Sequence, residues 1–310
     1  MTLHPDVIGI DIAKHHLDIY DPRCAQHRRI PNRPEPLADM IEVWRARACL
    51  VVFEATGAYD TLLRRALAEA GLRFVRVNPA RARDFARATG RLAKTDAIDA
   101  RMLADMGHVL ALNAQAEPDP TREQLAILHR RRDQLVEIRA GERTRLAEAS
   151  AALSDSLESH IAWLNAEIAR LDGLIARLIA EKAELAEAAR LMRSVPGVGP
   201  VTVTTLLALL PELGSRSGKA LAALAGLAPL NQDSGQRRGA RVIRGGRRRV
   251  RRALYMAAIA AVRTHPRFRA FYAAVLARRA AAKIALVAVA RKLLVILNAM
   301  LKTQTPFQPA

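Results

Sequence analysis

The chain has 310 residues and carries 49 Lys and Arg against 30 Asp and Glu, a formal net charge of +19 at pH 7. An apolar share of 51% excludes disorder as the default and can furnish cores for two domains joined by a helical connector. The charge points to a nucleic-acid partner ahead of a membrane or an acidic small molecule, and two cysteines, Cys24 and Cys49, exclude a disulfide framework.

Taken in order, Val7–Ile12 is a β-branched run that reads as a strand, with Leu17–Tyr20 as its hairpin partner and Arg28–Pro31 as a third strand. A helix is expected over Pro36–Arg47. The apolar run Cys49–Phe53 reads as a buried strand ended by Thr56–Gly57. Leu62–Ala70 reads as a helix closed by Gly71, and Arg73–Val77 as a strand stopped at Asn78–Pro79. Three strands, a crossing helix and a strand–helix–strand unit form the order of an RNase H-like α/β domain over 1–118, an order that other α/β domains share.

Pro118 and Pro120 mark a boundary, after which 119–192 reads as a helical connector. Leu164, Ile168, Leu171, Ile175, Leu178 and Leu185 form an apolar seam interrupted at Lys182. It fits either a coiled coil that sets oligomer geometry or two helices packed inside one bundle. The third region, 193–310, opens on Val195-Pro-Gly-Val-Gly199, a helix-hairpin-helix-like turn. Gly197 and Gly199 there could let backbone N–H groups approach a phosphate, or could serve the turn alone. A helix to about Ala225, a loop from Gly226 to Gly246 and further helices to about Lys302 complete an all-α domain. Ile284–Leu301 is apolar but holds Arg291 and Lys292, so it reads as a buried helix rather than a membrane span. No basic-then-apolar leader opens the chain, and the two cysteines fit a reducing cytoplasm as the expected location.

Four acids stand out against the basic background. Asp11 and Glu54 end two predicted strands, and Asp96 and Asp99 lie three apart on a predicted helix, so both project from one face. Two carboxylates within about 4 Å repel by roughly 4 kcal/mol at an effective dielectric near 20. Four gathered together must share protons, stay apart or bind cations. An all-oxygen set suits Mg²⁺ or Mn²⁺ over zinc, and divalent metal beside a polyanion is the chemistry of phosphoryl transfer. Singly, each acid has a plainer reading as a turn cap, a surface residue or a complement to a helix dipole.

The motifs around these acids are Gly9-Ile-Asp-Ile-Ala-Lys14, Glu54-Ala-Thr-Gly-Ala-Tyr59, Asn78-Pro79 and Lys94-Thr-Asp-Ala-Ile-Asp-Ala100. With Val195-Pro-Gly-Val-Gly199, Leu224-Ala-Gly-Leu-Ala-Pro229, Asp233-Ser-Gly235 and Arg244-Gly-Gly246, they resemble the DEDD insertion-sequence transposases with a RuvC-like N-terminal domain. These are RNA-bridged serine recombinases of bacterial mobile elements. The resemblance covers nearly the whole chain in the family's order. It implies that Asp11, Glu54, Asp96 and Asp99 hold metal and that Ser234 is a nucleophile joined covalently to DNA. It also implies that a structured, element-encoded RNA guides the protein to donor and target DNA. From the residues alone, a Ser-Gly step in a polar loop such as the one holding Ser234 is usually structural.

Nine arginines fall in the sixteen positions 237–252, namely Arg237, Arg238, Arg241, Arg244, Arg247, Arg248, Arg249, Arg251 and Arg252, with no acid among them. Guanidinium forks match phosphate oxygens, so the cluster is expected to touch nucleic acid. The reading is an α/β plus all-α transposase, dimeric or tetrameric, with a site composed from two protomers. The rivals are a RuvC-like junction resolvase or nuclease, and a non-catalytic nucleic-acid-binding scaffold.

Overall fold

The computed structural model describes residues 6–90, 95–110, 112, 114, 119–230, 241–279 and 281–308. The chain divides into two compact units, 1–118 and 119–310. The first is a mixed α/β unit. Strands β1 (Val7–Ile12), β2 (His16–Asp21) and β3 (Gln26–Pro31) form an antiparallel meander. Helix α1 (Pro34–Arg47) then leads to β4 (Leu50–Glu54), and α2 (Thr61–Glu69) to β5 (Arg73–Val77). The last two strands run parallel to β1, giving the order β3-β2-β1-β4-β5. This five-stranded mixed sheet is consistent with an RNase H-like unit.

Period-two alternation decides which side chains meet which layer. Ile8, Ile10, Ile12, Leu17, Ile19, Ile30 and Phe53 point to the core that holds Trp44 and Leu63 of α1 and α2. Val7, Leu50, Val52, Val75 and Val77 point to the opposite core, with Met102, Leu103 and Met106. Those last residues belong to α4 (Asp96–Val109), which follows α3 (Pro79–Ala88). Asn78 caps α3 by accepting from Ala80 N at 2.8 Å, and Thr95 caps α4 by accepting from Ile98 N at 3.3 Å.

Helix α4 lies unusually close to the sheet because small residues face each other. A Cβ added at Gly9 would stand 2.0 Å from Ala100 O and 2.5 Å from Ala104 N, and one at Gly107 would meet Val7 and Val52 at 2.7 Å. Gly9 is therefore required by backbone contact with α4 and not by a turn.

Among the described residues, the second unit is helical apart from one ribbon of two-residue strands. Helices α5 (Pro120–Ala147), α6 (Ala151–Ala180) and α7 (Ala183–Arg193) replace the continuous helical pattern expected over 121–192, with breaks where Ser150 and Lys182 adopt extended backbone. Arg132–Asp172 (2.5 Å), Arg139–Asn165 (2.8 Å) and Glu142–His160 (3.4 Å) show α5 and α6 to be antiparallel. Seam residues Leu164, Ile168 and Leu171 pack on Leu135 of α5 within the same chain.

Ile175 and Leu185 continue into a larger core shared with α8 (Pro200–Leu209), α9 (Gly218–Leu224), α10 (Arg248–Thr264), α11 (Pro266–Arg279) and α12 (Ala282–Thr303). Helix α12 is, among the described residues, the one helix long and apolar enough to cross a membrane. Its Val289, Leu293 and Leu297 are fully buried in this core, as the charged pair Arg291–Lys292 led us to expect.

The expected loop 226–246 is pinned at its base by β6 (Pro229–Leu230) and β7 (Val242–Ile243), paired Pro229 to Ile243 and Leu230 to Val242. Gly226 and Gly246 pack backbone to backbone: a Cβ at Gly246 would meet Gly226 N at 2.2 Å. The arginine run does not stay in this loop. From Arg248 onward it forms the first turns of α10.

Candidate metal centre and nucleic-acid surface

The alternation that faces Val7, Leu50 and Val52 toward α4 carries Asp11 and Glu54 to the same side at the carboxyl ends of β1 and β4. Helix α4 brings Asp96 and Asp99 in its first turn, with Asp96 on the stripe of Ala100 and Ala104 that meets Gly9. Four acids scattered over 89 positions of sequence thus converge because two strands and one helix start end at one place. Asp11 reports the result. Burial, then the charges of Asp99 and Asp96, and finally that of Glu54 push its carboxyl from 3.8 up to about 6. A hydrogen bond from the Ile12 backbone offsets only part of this.

Three further residues, absent from the sequence expectations, adjoin the acids. Asp18 stands opposite Asp11 in the β1–β2 register and is 1% exposed. Arg29, its β3 neighbour, donates to Asp18 at 3.0 Å and to Asp96 at 2.8 Å. His16 Nε2 lies 3.3 Å from Asp18 and 3.5 Å from Asp96, so His16, Asp18 and Asp96 offer three possible ligand atoms within 4.8 Å of one another. The Arg29 guanidinium already serves as the cation between the two carboxylates. The trio therefore reads as a mount that orients Asp96, beside the all-oxygen set that fits a hard divalent ion. The signal in the sequence was an acid at an inward position of the alternating strand His16–Asp21.

In the second unit the arginines separate by role. Ser234, Arg237 and Arg238 lie outside the described residues. Arg241 and Arg244 are exposed beside β7. Arg247 is bound to Glu212 by two short hydrogen bonds, at 2.5 and 2.6 Å. Burial raises the Glu212 carboxyl, but this guanidinium holds it below the usual carboxylate range. Arg251 donates to Gly245 O at 2.7 Å and Gly226 O at 3.3 Å, tying the loop base to α10. Arg248, Arg249 and Arg252 are exposed on α10. The run has no acid in its own sequence, yet α5 supplies two, Asp133 at 3.7 Å from Arg249 and Glu137 at 3.9 Å from Arg252.

The proposed phosphate-contacting glycines also differ from each other. Gly197 has φ +86°, and an added Cβ would strike Ala261 N at 2.5 Å and Ala257 O at 2.6 Å. It serves helix packing. Gly199 has open space at that position and precedes α8, which carries no side-chain cap.

Comparison with protein families bears directly on this arrangement. A model for the DEDD transposases of the IS110 type matches residues 8–151, and that of the "Transposase IS116/IS110/IS902 family" matches residues 189–273. The chain belongs to this family of transposases. No curated protein matches it. As a transposase it is an enzyme of DNA transposition, encoded by an insertion sequence, which disposes of the non-catalytic scaffold. The first match spans all four acids and Asp18, Arg29 and His16. The second spans the Gly197 turn, the loop base and the arginines of α10.

Proposed function

We propose that this transposase is a RuvC-like, Mg²⁺-dependent serine recombinase that cuts and rejoins DNA at sites chosen by an element-encoded bridge RNA. Asp11, Glu54, Asp96 and Asp99 would hold the metal, Mg²⁺ or Mn²⁺, while Ser234 Oγ attacks the scissile phosphate: an Oγ–P bond forms, the P–O bond to the leaving strand breaks, and the departing oxygen takes up the proton the serine gives up. The observation that carries the reading is Asp11, whose carboxyl is raised to about 6 by burial and by all three other acids, a standing repulsion that a divalent ion would relieve. A bound divalent ion supplies Lewis acidity for the nucleophile and the leaving oxygen.

The chain's own residues do the rest. Arg29 and His16 orient Asp96, and Asp18 fixes Arg29. The exposed arginines hold nucleic-acid backbone through N–H donors matched to phosphate. Residues 119–192 act as the connector between the 1–118 catalytic region and the 193–310 transposase region. The working assembly is a dimer or tetramer on DNA, in the bacterial cytoplasm, joining the acids of one protomer to the serine of another.

Incubating the protein with donor DNA, Mg²⁺ and the RNA that copurifies with it tests the chemistry. A protein–DNA adduct that survives denaturing electrophoresis and vanishes in Ser234→Ala is the expected result. Cleavage at an undiminished rate in Ser234→Ala, with no adduct from either protein, would replace the serine with attack by water. Sequencing of the copurified RNA should return one structured species from the element's flank; random cellular RNA would remove the guide.

A further inference from the structure

Within the second unit a cleft of about 580 Å³ opens between α5, α8 and α10, and falls within the ~300–1,000 Å³ of small-ligand sites. Arg248, Arg249 and Arg252 line it together with Val136, Val201 and Met256. Val201 is 42% exposed and Met256 57%, so apolar surface faces solvent beside three guanidinium groups. Arg248 makes no ion pair among the described residues. The acids facing Arg249 and Arg252 stand at 3.7 and 3.9 Å, which leaves most of their ten N–H donors unspent. Both α8 and α10 begin at this cleft without a side-chain cap and without an acid in the first turn, so their positive ends are unopposed from within the helices.

A buried polar group lies in the same wall. His129 lines the cleft and is 1% exposed. Thr205 commits its hydroxyl proton to Val201 O at 2.7 Å, so the 3.1 Å contact with His129 has Nε2–H donating to Thr205 Oγ1. Burial lowers the imidazole's affinity for a second proton, which leaves Nδ1 a bare acceptor, and among the described residues it has no hydrogen-bond partner. A phosphate, itself only an acceptor, cannot satisfy such an atom. An N–H on the edge of a nucleobase can.

We propose that this cleft receives one unstacked nucleotide of a bound strand, with its phosphate on Arg248, Arg249 and Arg252 and its base against Val136, Val201 and Met256. The inference rests on the nucleic-acid reading of the arginines and adds to it that a base, and not backbone alone, is held. Extruding a base costs a few kcal/mol in a duplex and little in a single strand, so single-stranded segments are the favoured occupants.

The test uses the full chain and a twelve-nucleotide single strand carrying one 2-aminopurine, whose emission rises when the base leaves its stack. Wild type should bind the strand and raise the emission. Met256→Glu, at an exposed position that spares the core, should weaken binding about tenfold and abolish the rise. Arg248→Ala should flatten the dependence of log affinity on log salt by about 0.7, the value for one phosphate of a single strand. Met256→Glu binding with wild-type affinity and emission overturns the cleft while leaving backbone contact by the arginines standing. Failure of the wild type to bind the strand at all overturns the nucleic-acid reading, and the cleft with it.

Discussion

Asp11 couples the acidic centre to stability in a way that pH can read. Its carboxyl titrates near 6 in the folded protein against 3.8 ordinarily. Between those values the native state holds a proton that the unfolded chain has lost, so this group stabilises the fold below about pH 4. Its contribution is lost as pH rises through 6. Two pKa units correspond to about 3 kcal/mol at most. Without divalent ions, Asp11→Asn should therefore melt higher than wild type at pH 7, and the two melting temperatures should converge toward pH 4. Adding Mg²⁺ or Mn²⁺ at pH 7 should stabilise wild type and leave the Asn variant nearly unmoved, since a ligand that binds only the native state raises its stability by mass action. A variant no more stable than wild type at pH 7 would remove Asp11 from a repulsive cluster. The chain announced Asp11 through its place at the end of a β-branched run. It did not announce Arg29, because an arginine on an edge strand looks solvent-facing until the register sets it against Asp18.

Among elements, the approach of α4 to β1 decides whether the acids meet. Gly9→Ala places a methyl 2.0 Å from a helix carbonyl, and no side-chain rotation relieves a clash with backbone. The helix must move, at an expected cost of about 3 kcal/mol or more, and the stabilisation by Mg²⁺ should shrink because Asp96 and Asp99 move with it. A Gly9→Ala protein with wild-type melting and metal response would show that α4 is not held there. The arginine run makes a complementary case. Arg247 and Arg248 are neighbours in sequence, yet Arg247 is spent on Glu212 while Arg248 is open to solvent. Arg247→Ala should cost about 1.5–3 kcal/mol of stability, the range for hydrogen bonds to charged groups. Arg248→Ala should change stability by less than about 0.5 kcal/mol. Chemical denaturation of the two variants separates them, and equal losses would contradict the assignment.

For the whole molecule, the proposed assembly predicts complementation. Asp11→Asn and Ser234→Ala proteins, each inactive alone, should regain strand exchange on donor DNA when mixed, if the acids of one protomer serve the nucleophile of another. No recovery at any ratio would place both in one chain. Much of the architecture was readable in advance: the five strands of the first unit, the start of α4 at a Thr-Asp step, and the burial of α12 despite its apolar length. These follow from alternation, capping and helical periodicity, which neighbouring residues encode among themselves. The family's motifs, too, are short local strings, and their order along the chain survives without any knowledge of contacts. What the tertiary structure alone decided is which distant groups face each other. It set Arg29 between Asp18 and Asp96, turned Gly197 into a packing residue under α10, and answered arginines with acids from α5. It also assembled a cleft from three helices. Register and helix packing bring such groups together across long stretches of chain, and no local pattern in either partner records the other.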